Sequence, residues 1–318
     1  MISLIIPIYN QAENLDVIIA SIYNQIDIEK EDYEIIIVDD GSHTEINNLH
    51  NNYRNLNMIY VRCLENLGRS AARNTGAKTA KGEILVFSDG DRFLSPVFLS
   101  KHYKFHKNHE KSVLIGEIAE IFVKDINTYR DNIPEMFMDS NNKMWKFTRI
   151  YNYAEQVLKI YDENGYTDFS APWVTLFSGN FSIRKSDFIL VGGFDEFYKG
   201  WGYENIDFGY RLHLIGINYL YNKEATNFHI YHAQRRQEDS KDESSMLSQK
   251  YRNKSEIKQF IKFLNGKVPL GEILEVDGKE SDVTENRIYY IKNRLGSKYK
   301  PKIYENINNI IEQQEEIK

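Results

Sequence analysis

The 318-residue chain is predicted to form an α/β domain, a mostly parallel sheet flanked by helices, followed by a small α-helical C-terminal tail. Three observations predict it. Apolar runs at 2–8, 34–38, 58–62 and 84–87 alternate with helical patterns up to residue 90. The turns between them are short, as in parallel sheets joined by right-handed crossovers. Several runs stop abruptly at carboxylates, at the strand ends where open α/β sheets bind ligands.

The elements follow in order. ISLIIPI (2–8) is a first strand, and Asn10 is placed to cap a helix carrying Leu15, Ile18, Ile19, Ile22 and Tyr23. EIIIV (34–38) is a second strand, stopped by Asp39-Asp40-Gly41-Ser42, with a polar helix after it. MIYVR (58–62) is a third. An Ala-rich helix over 68–81 opens at Arg69-Ser70 and closes at Gly82, a C-terminal signal. The fourth strand, Ile84 to Phe87, opens the segment LVFSDGDRF (85–93) and ends just before Asp89 and Asp91. Beyond it, 95–107 reads helical and 112–123 strand-like, and a Tyr- and Asn-rich stretch follows without assignment. LFSGNFSIR (176–184) reads as a strand pair at a sheet edge. A Gly-rich loop at 192–203 leads into a helix from about Glu204 to Ile215. Residues 233–250 are almost wholly polar and read as a mobile linker, with helical patterns at 251–264 and 302–317.

Composition narrows the function classes. A hydrophobic content of 42% supports a sizeable core, and a net charge of −6 argues against nucleic-acid binding through a broad basic face. The single cysteine, Cys63, excludes an internal disulfide framework and reads as a small strand residue. No basic leader precedes the first strand and no run reaches the roughly 18–20 apolar residues of a membrane span. The expectation is a soluble, cytoplasmic protein, compatible with peripheral membrane association.

Asp89 and Asp91 carry the first chemical signal. Two carboxylates one residue apart at a strand end can reach a divalent cation that also holds a diphosphate, since hard oxygen ligands suit Mg²⁺ or Mn²⁺. A bare Asp-x-Asp is otherwise a solvated turn. Asp39, at the next strand end, can accept hydrogen bonds from a uracil N–H or a ribose hydroxyl. Pro7 and Tyr9 end the first strand, where a base could lie and an aromatic ring line its pocket; Tyr9 reads equally well as a turn aromatic. Asp40 and Ser42 suit a helix-capping turn.

IIPIYNQAENL, VDDGS, NLGRSAARNTGAKTAKGEILVFSDGDRF and GGFDEFYKGWGYENIDFGYRL together resemble nucleotide-sugar-dependent glycosyltransferases of the GT-A, Rossmann-like fold. The N-terminal half is similar to family 2. GWGYEN is similar to the acceptor-side motif of β-1,4-galactosyltransferases, polypeptide N-acetylgalactosaminyltransferases and chondroitin-type polymerases. The resemblance covers residues 1 to about 235. It implies a glycosyltransferase domain over 1–235, with a nucleotide-binding half (1–94) and an acceptor-side half (95–235), then a polar linker and helical extension over 236–318.

It also implies roles. Asp89 holds the ribose or the metal and Asp91 ligates the metal, with Mn²⁺ or Mg²⁺ expected. Arg69 faces the base or the diphosphate, while Arg73, four residues on, is left structural. Of His229 and His232, which face opposite sides of an extended stretch, the resemblance selects His232 as a further ligand. Arg235 and Arg236 suit either a closing lid over the diphosphate or a solvated basic pair. Trp201, Gly202 and Tyr203 are placed at the acceptor, Trp201 offering a flat face to a sugar ring. Glu204 and Asp207, i and i+3 on one helix, are the candidate proton acceptors. The chain departs from inverting galactosyltransferases by carrying Asn205 after Glu204, as retaining polypeptide transferases do, and an amide cannot act as a base.

The expected activity is metal-dependent transfer from a UDP-sugar to a hydroxyl of a glycan, lipid-linked glycan or peptide, with inversion and Glu204 as base. Two alternatives are a retaining transferase on a peptide or protein, and a non-catalytic UDP-sugar-binding protein. A sugar-nucleotide pyrophosphorylase is disfavoured because PIYNQAENL has no Gly-rich loop with a basic residue after the first strand.

Overall fold

Strands form where apolar residues run without interruption, because both faces of the sheet are covered. The computed structural model describes residues 1–44, 56–122, 148–200, 202–230 and 240–274. The strands are β1 (Ile2–Ile8), β2 (Tyr33–Asp39), β3 (Met58–Arg62), β4 (Ile84–Ser88), β5 (Arg92–Leu94), β6 (Ser112–Ile121), β7 (Thr148–Ile150), β8 (Asn180–Arg184) and β9 (Asn218–Ile230). They join one sheet in the order β3-β2-β1-β4-β8-β6-β9-β5, with β7 paired to β6. The helices are α1 (Ala12–Tyr23), α2 (Arg69–Thr79), α3 (Phe98–Asn108), α4 (Asn152–Val157), α5 (Lys185–Leu190), α6 (Tyr203–Leu214), α7 (Ser240–Lys250) and α8 (Ser255–Leu264).

β1 lies between β2 and β4, parallel to both, and β2 pairs in parallel with β3. Alternate residues feed two cores. Leu4, Ile6, Ile35, Ile37 and Val86 pack with α1 residues such as Ile18 and Ile19. Ile5, Ile36, Val38, Leu85 and Phe87 pack on the other side with Ala72 of α2 and the rings of Phe181, Phe194 and Phe208. A strand buried on both faces must be apolar in both phases, which is why these runs do not alternate.

From β8 onward antiparallel pairing enters. β8 is not an edge strand: it lies between β4 and β6, antiparallel to both. Its polar face, carrying Asn180 and Ser182, is covered by α3. His102 Nδ1 lies 2.8 Å from Ser182 Oγ and His106 Nε2 lies 2.9 Å from it. The other nitrogen of His102 lies 3.2 Å from Asn180 Oδ1, and the Asn180 amide donates to the carbonyls of Glu117 and Ala225. Polar groups buried with partners are tolerated, and polarity alone does not report exposure. Burial, the largest influence, holds both imidazoles neutral with pKa values pushed down to about 3.

Three local expectations change. Asn10 does not cap α1; it sits at φ 53, and its Oδ1 accepts the His43 amide, tying the β1 loop to the β2 loop. Gly82 lies past the end of α2 and is needed for close approach, since a Cβ there would meet Ser3 Oγ at 2.6 Å. Cys63 follows β3 rather than sitting in it; it is buried, and burial first, with Asp40 and Asp39 nearby, pushes its thiol up to about 12.

Residues 240–250, read as part of a polar linker, form α7 instead, while the helix expected over 251–264 is α8, and both pack on the core. Leu247, Tyr251, Ile257, Phe260 and Ile273 are buried in the same core as Ile5 and Phe87. The helix expected over 302–317, and the polar helix expected after Ser42, lie outside the described residues. Among the described residues no helix is long and apolar enough to cross a membrane.

Candidate active site at the carboxyl ends of the strands

Parallel pairing of β1 with β2 and β4 delivers three loops to one sheet edge. The loop after β4 carries Asp89 and Asp91, the loop after β1 carries Tyr9 and Gln11, and β2 ends at Asp39. Gln11 Nε2 donates to Asp91 Oδ2 at 3.3 Å, so the first and fourth strand ends are in direct contact.

Asp39 is fully buried. Its Oδ1 accepts the Ser42 amide at 2.8 Å, its Oδ2 accepts the Tyr60 hydroxyl at 2.6 Å, and Arg62 lies 3.9 Å away. These contacts brace the loop after β2. Asp40 braces a different one: its two oxygens accept the amides of Leu67 and Gly68, just ahead of α2. Pro7 is buried within β1, opposite Val38, whereas the Tyr9 ring is 39% exposed and meets His43 edge-on.

Asp89 is gripped from two sides. Arg73 donates to Oδ1 at 2.7 Å and Arg92 Nε to Oδ2 at 3.3 Å. Burial alone would raise its carboxyl, but Arg73, then Arg92, with Arg69 further off, hold it below the usual range and keep it ionised. Arg73 therefore does more than the sequence reading gave it. It is 1% exposed, and its other terminal nitrogen lies 3.4 Å from Glu204 Oε1. One guanidinium thus spans the Asp-x-Asp loop and α6. Arg69 is exposed at the start of α2.

Asp91 faces the far strands. The register of β5 with β9 sets Arg92 opposite His229, which brings His229 Nε2 to 3.5 Å from Asp91 Oδ2. The other nitrogen of His229 lies 3.8 Å from Glu120 at the end of β6. His232, selected from the resemblance, lies outside the described residues, as do Arg235 and Arg236. Among the described residues no group of three or more His, Cys, Asp or Glu side chains is arranged to hold a metal ion. The pair present still fits one. A carboxylate with an imidazole suits Mn²⁺.

Glu204 stands in the first turn of α6. Gly202 precedes it at φ 104, a left-handed conformation that favours glycine, and donates its amide to Glu204 Oε2 at 2.6 Å. Trp201 lies outside the described residues, and the partly buried Tyr203 is hydrogen-bonded with Ser244. Asp207 does not share Glu204's surroundings. Three helical residues turn about 300°, and the offset of about 60° points the two carboxylates at different neighbours. Asp207 is fully buried, 2.8 Å from Arg211, 2.6 Å from Lys250 and 2.8 Å from the Tyr251 hydroxyl. Burial opposes its ionisation, but Lys250 and Arg211 draw its pKa down to about 2. It anchors α6 to the end of α7 and is corrected from candidate base to structural residue.

The structure thus gathers Asp89, Asp91 and Glu204 with four residues that sequence reasoning missed: Gln11, Arg73, Glu120 and His229. Arg73 and His229 each leave a signal there and are set aside, Arg73 as structural and His229 in favour of His232; Gln11 and Glu120 leave none.

Comparisons with known proteins bear on the family and the fold. Residues 3–172 match the family model for glycosyl transferase family 2, and residues 159–233 match one described as the N-terminal domain of galactosyltransferase. The chain is 27% identical over 259 residues to the glycosyltransferase YfnE of Bacillus subtilis strain 168, covering 72% of this chain and 64% of that protein. It is 27% identical over 239 residues to a chondroitin synthase of Escherichia coli, covering 72% of this chain and 34% of that protein. The chain therefore spans less than two thirds of either relative's length. The crystal structure of S. aureus TarS 1-349 in complex with UDP-GlcNAc superposes with a TM-score of 0.56 at 19% identity, over 74% of this chain and 59% of that one, which establishes a shared fold. With its GT-A architecture and a family match across more than half its length, the chain belongs to glycosyl transferase family 2.

Proposed function

We propose that the protein transfers a sugar from a UDP-sugar to a hydroxyl of a glycan acceptor, with a divalent metal and inversion at the anomeric carbon. One observation carries the reading: a candidate metal-binding carboxylate pair and a candidate base, Glu204, converge through a single buried arginine, Arg73. The UDP-GlcNAc bound by TarS supports the donor class, and the chondroitin synthase supports a glycan acceptor. Lipid-linked glycans and peptides remain acceptors to test.

Asp91 and His229, with Asp89 behind them, would hold Mn²⁺ or Mg²⁺. Such an ion neutralises the diphosphate and stabilises the departing UDP. Arg73 and Arg92 keep Asp89 ionised, and Arg73 holds Glu204 in place. Glu204 spends one oxygen on Gly202 and one on Arg73, leaving lone pairs for an acceptor hydroxyl. As that oxygen attacks C1, its proton passes to Glu204 and the C1–phosphate bond breaks, its electron pair leaving with UDP. The exposed Tyr9 ring gives uracil an apolar face at the β1 end, with Asp39 bracing the loop beneath.

The test is a panel of UDP-sugars and acceptors, reading UDP release with Mn²⁺, with Mg²⁺ and with excess EDTA. Full turnover in EDTA overturns the metal. UDP with Mn²⁺ at 100 times its Kd should stabilise the fold by about 2.7 kcal/mol; an equal shift with GDP overturns the base assignment. A product that keeps the donor's anomeric configuration by NMR overturns inversion and makes Asn205 the mark of a retaining site.

A further inference from the structure

From the α7 contacts we infer that Glu243 is a positioning residue for the acceptor-side turn, holding the Gly200 amide at its start and, through the turn, Glu204. Glu243 lies beyond both family matches, the later of which ends at residue 233. Its carboxylate is 5% exposed and accepts the Gly200 amide at 2.5 Å, a short charge-assisted bond. A Cβ on residue 200 would lie 2.8 Å from both Glu243 oxygens, so the carboxylate fills the space that any other residue's side chain needs.

The next residue of α7 holds the other end of the turn. Ser244 is hydrogen-bonded with Tyr203, and Gly202 between the two ends donates to Glu204. Lower on the same helix Lys250 bridges Asp195 at 2.7 Å and Asp207 at 2.6 Å. The segment that delivers Glu204 is therefore pinned before, within and after the turn by one helix. The stabilities of these pins differ in kind. Lys250 with Asp207 anchors the helix, whereas Glu243 with Gly200 touches the turn itself.

The experiment compares Glu243→Ala, Glu243→Gln, Gly200→Ala and the double variant Gly200→Ala/Glu243→Ala in the full chain. Amide hydrogen exchange at Gly200 reads the clamp without any ligand. Glu243→Ala should exchange at least about tenfold faster, while Glu243→Gln, whose amide oxygen still accepts, stays near wild type. Turnover of UDP-GlcNAc with Mn²⁺ reads the consequence. Glu243→Ala should lower kcat by up to about 10²-fold with an unchanged KM for UDP-GlcNAc, and Glu243→Gln should recover most of it. Gly200→Ala should fall alike, and the double variant should be no worse than Glu243→Ala alone, because removing the carboxylate vacates the space for the new methyl. Unchanged exchange at Gly200 in Glu243→Ala, or strictly additive losses, overturns the inference. The kinetic arm rests on Glu204 as proton acceptor. If wild type does not turn over UDP-GlcNAc, the donor reading fails, and the exchange measurement still decides for or against the clamp.

Discussion

The edge that carries Asp39, Asp89 and Asp91 and the helix that carries Glu204 are assembled on different principles. The first is built from the adjacent parallel strands β2, β1 and β4, of which β2 and β4 deliver carboxylates at their ends, so position follows from strand order. The second depends on contacts between residues far apart in the chain: Arg73 with Glu204, Glu243 with Gly200, and Lys250 with Asp207. Aspartates in the first region lie where a strand ends. Carboxylates in the second are sorted by which helix they meet, and Glu204 and Asp207 three residues apart end in different chemistry.

The largest effect expected is at Glu204. Glu204→Gln keeps shape and removes the basic oxygen, so kcat should fall about 10²–10⁴-fold with UDP affinity, read by calorimetry, unchanged. Retention of most activity would erase the functional difference between the two regions. Asp91→Asn probes the other side. It should lower kcat by about 10²–10³-fold, the scale of losing one electrostatic stabiliser, and weaken Mn²⁺-dependent UDP binding as well. A loss of kcat with intact Mn²⁺ dependence would remove Asp91 from the metal.

Asp207→Asn sharpens the contrast within α6. Leaving the buried Arg211 and the partly buried Lys250 beside a neutral amide should cost about 3 kcal/mol of stability, measured by urea unfolding. Activity per folded molecule should stay close to wild type. A stable variant with no activity would return Asp207 to the chemistry.

The smallest effect concerns the polar face of β8. His102 and His106 are held near pKa 3 in the folded state, whereas unfolded histidine titrates near 6.5. The unfolded chain therefore binds protons the folded chain refuses, and stability that is full above about pH 6.5 declines as pH falls. Each imidazole contributes a slope of up to about 1.4 kcal/mol per pH unit between pH 6 and 5. Asp207, held near 2, loses its contribution only below about pH 4 and stays out of this window. Urea unfolding at pH 7, 6 and 5 should show the decline, and His106→Gln should remove about half of it. A flat profile would mean that the histidine network opens to water.

Legibility divides along the same line. The first four strands and α1 to α3 were readable because hydrophobic periodicity is local, and a run buried on both faces looks different from a linker. Asp39, Asp89 and Asp91 could be singled out because a strand end is also a local event. β8 was misplaced at an edge because its buried polar residues are satisfied by α3, which no local pattern reports. α7 was read as a linker for the same reason: Glu243 and Lys250 look like solvated charges until Gly200 and Asp207 are set beside them.

Amino-acid order alone therefore specified the α/β alternation, the carboxylates at the strand ends and the glycine-rich turn before Glu204. It could not specify that Arg73 would join Asp89 to Glu204, that His229 would come against Asp91, or that Asp207 would be paired with Lys250 of α7. Periodicity and capping act over a few residues, whereas a buried charge takes its role from the charge beside it. That neighbour can lie 131 residues away, as Glu204 does from Arg73.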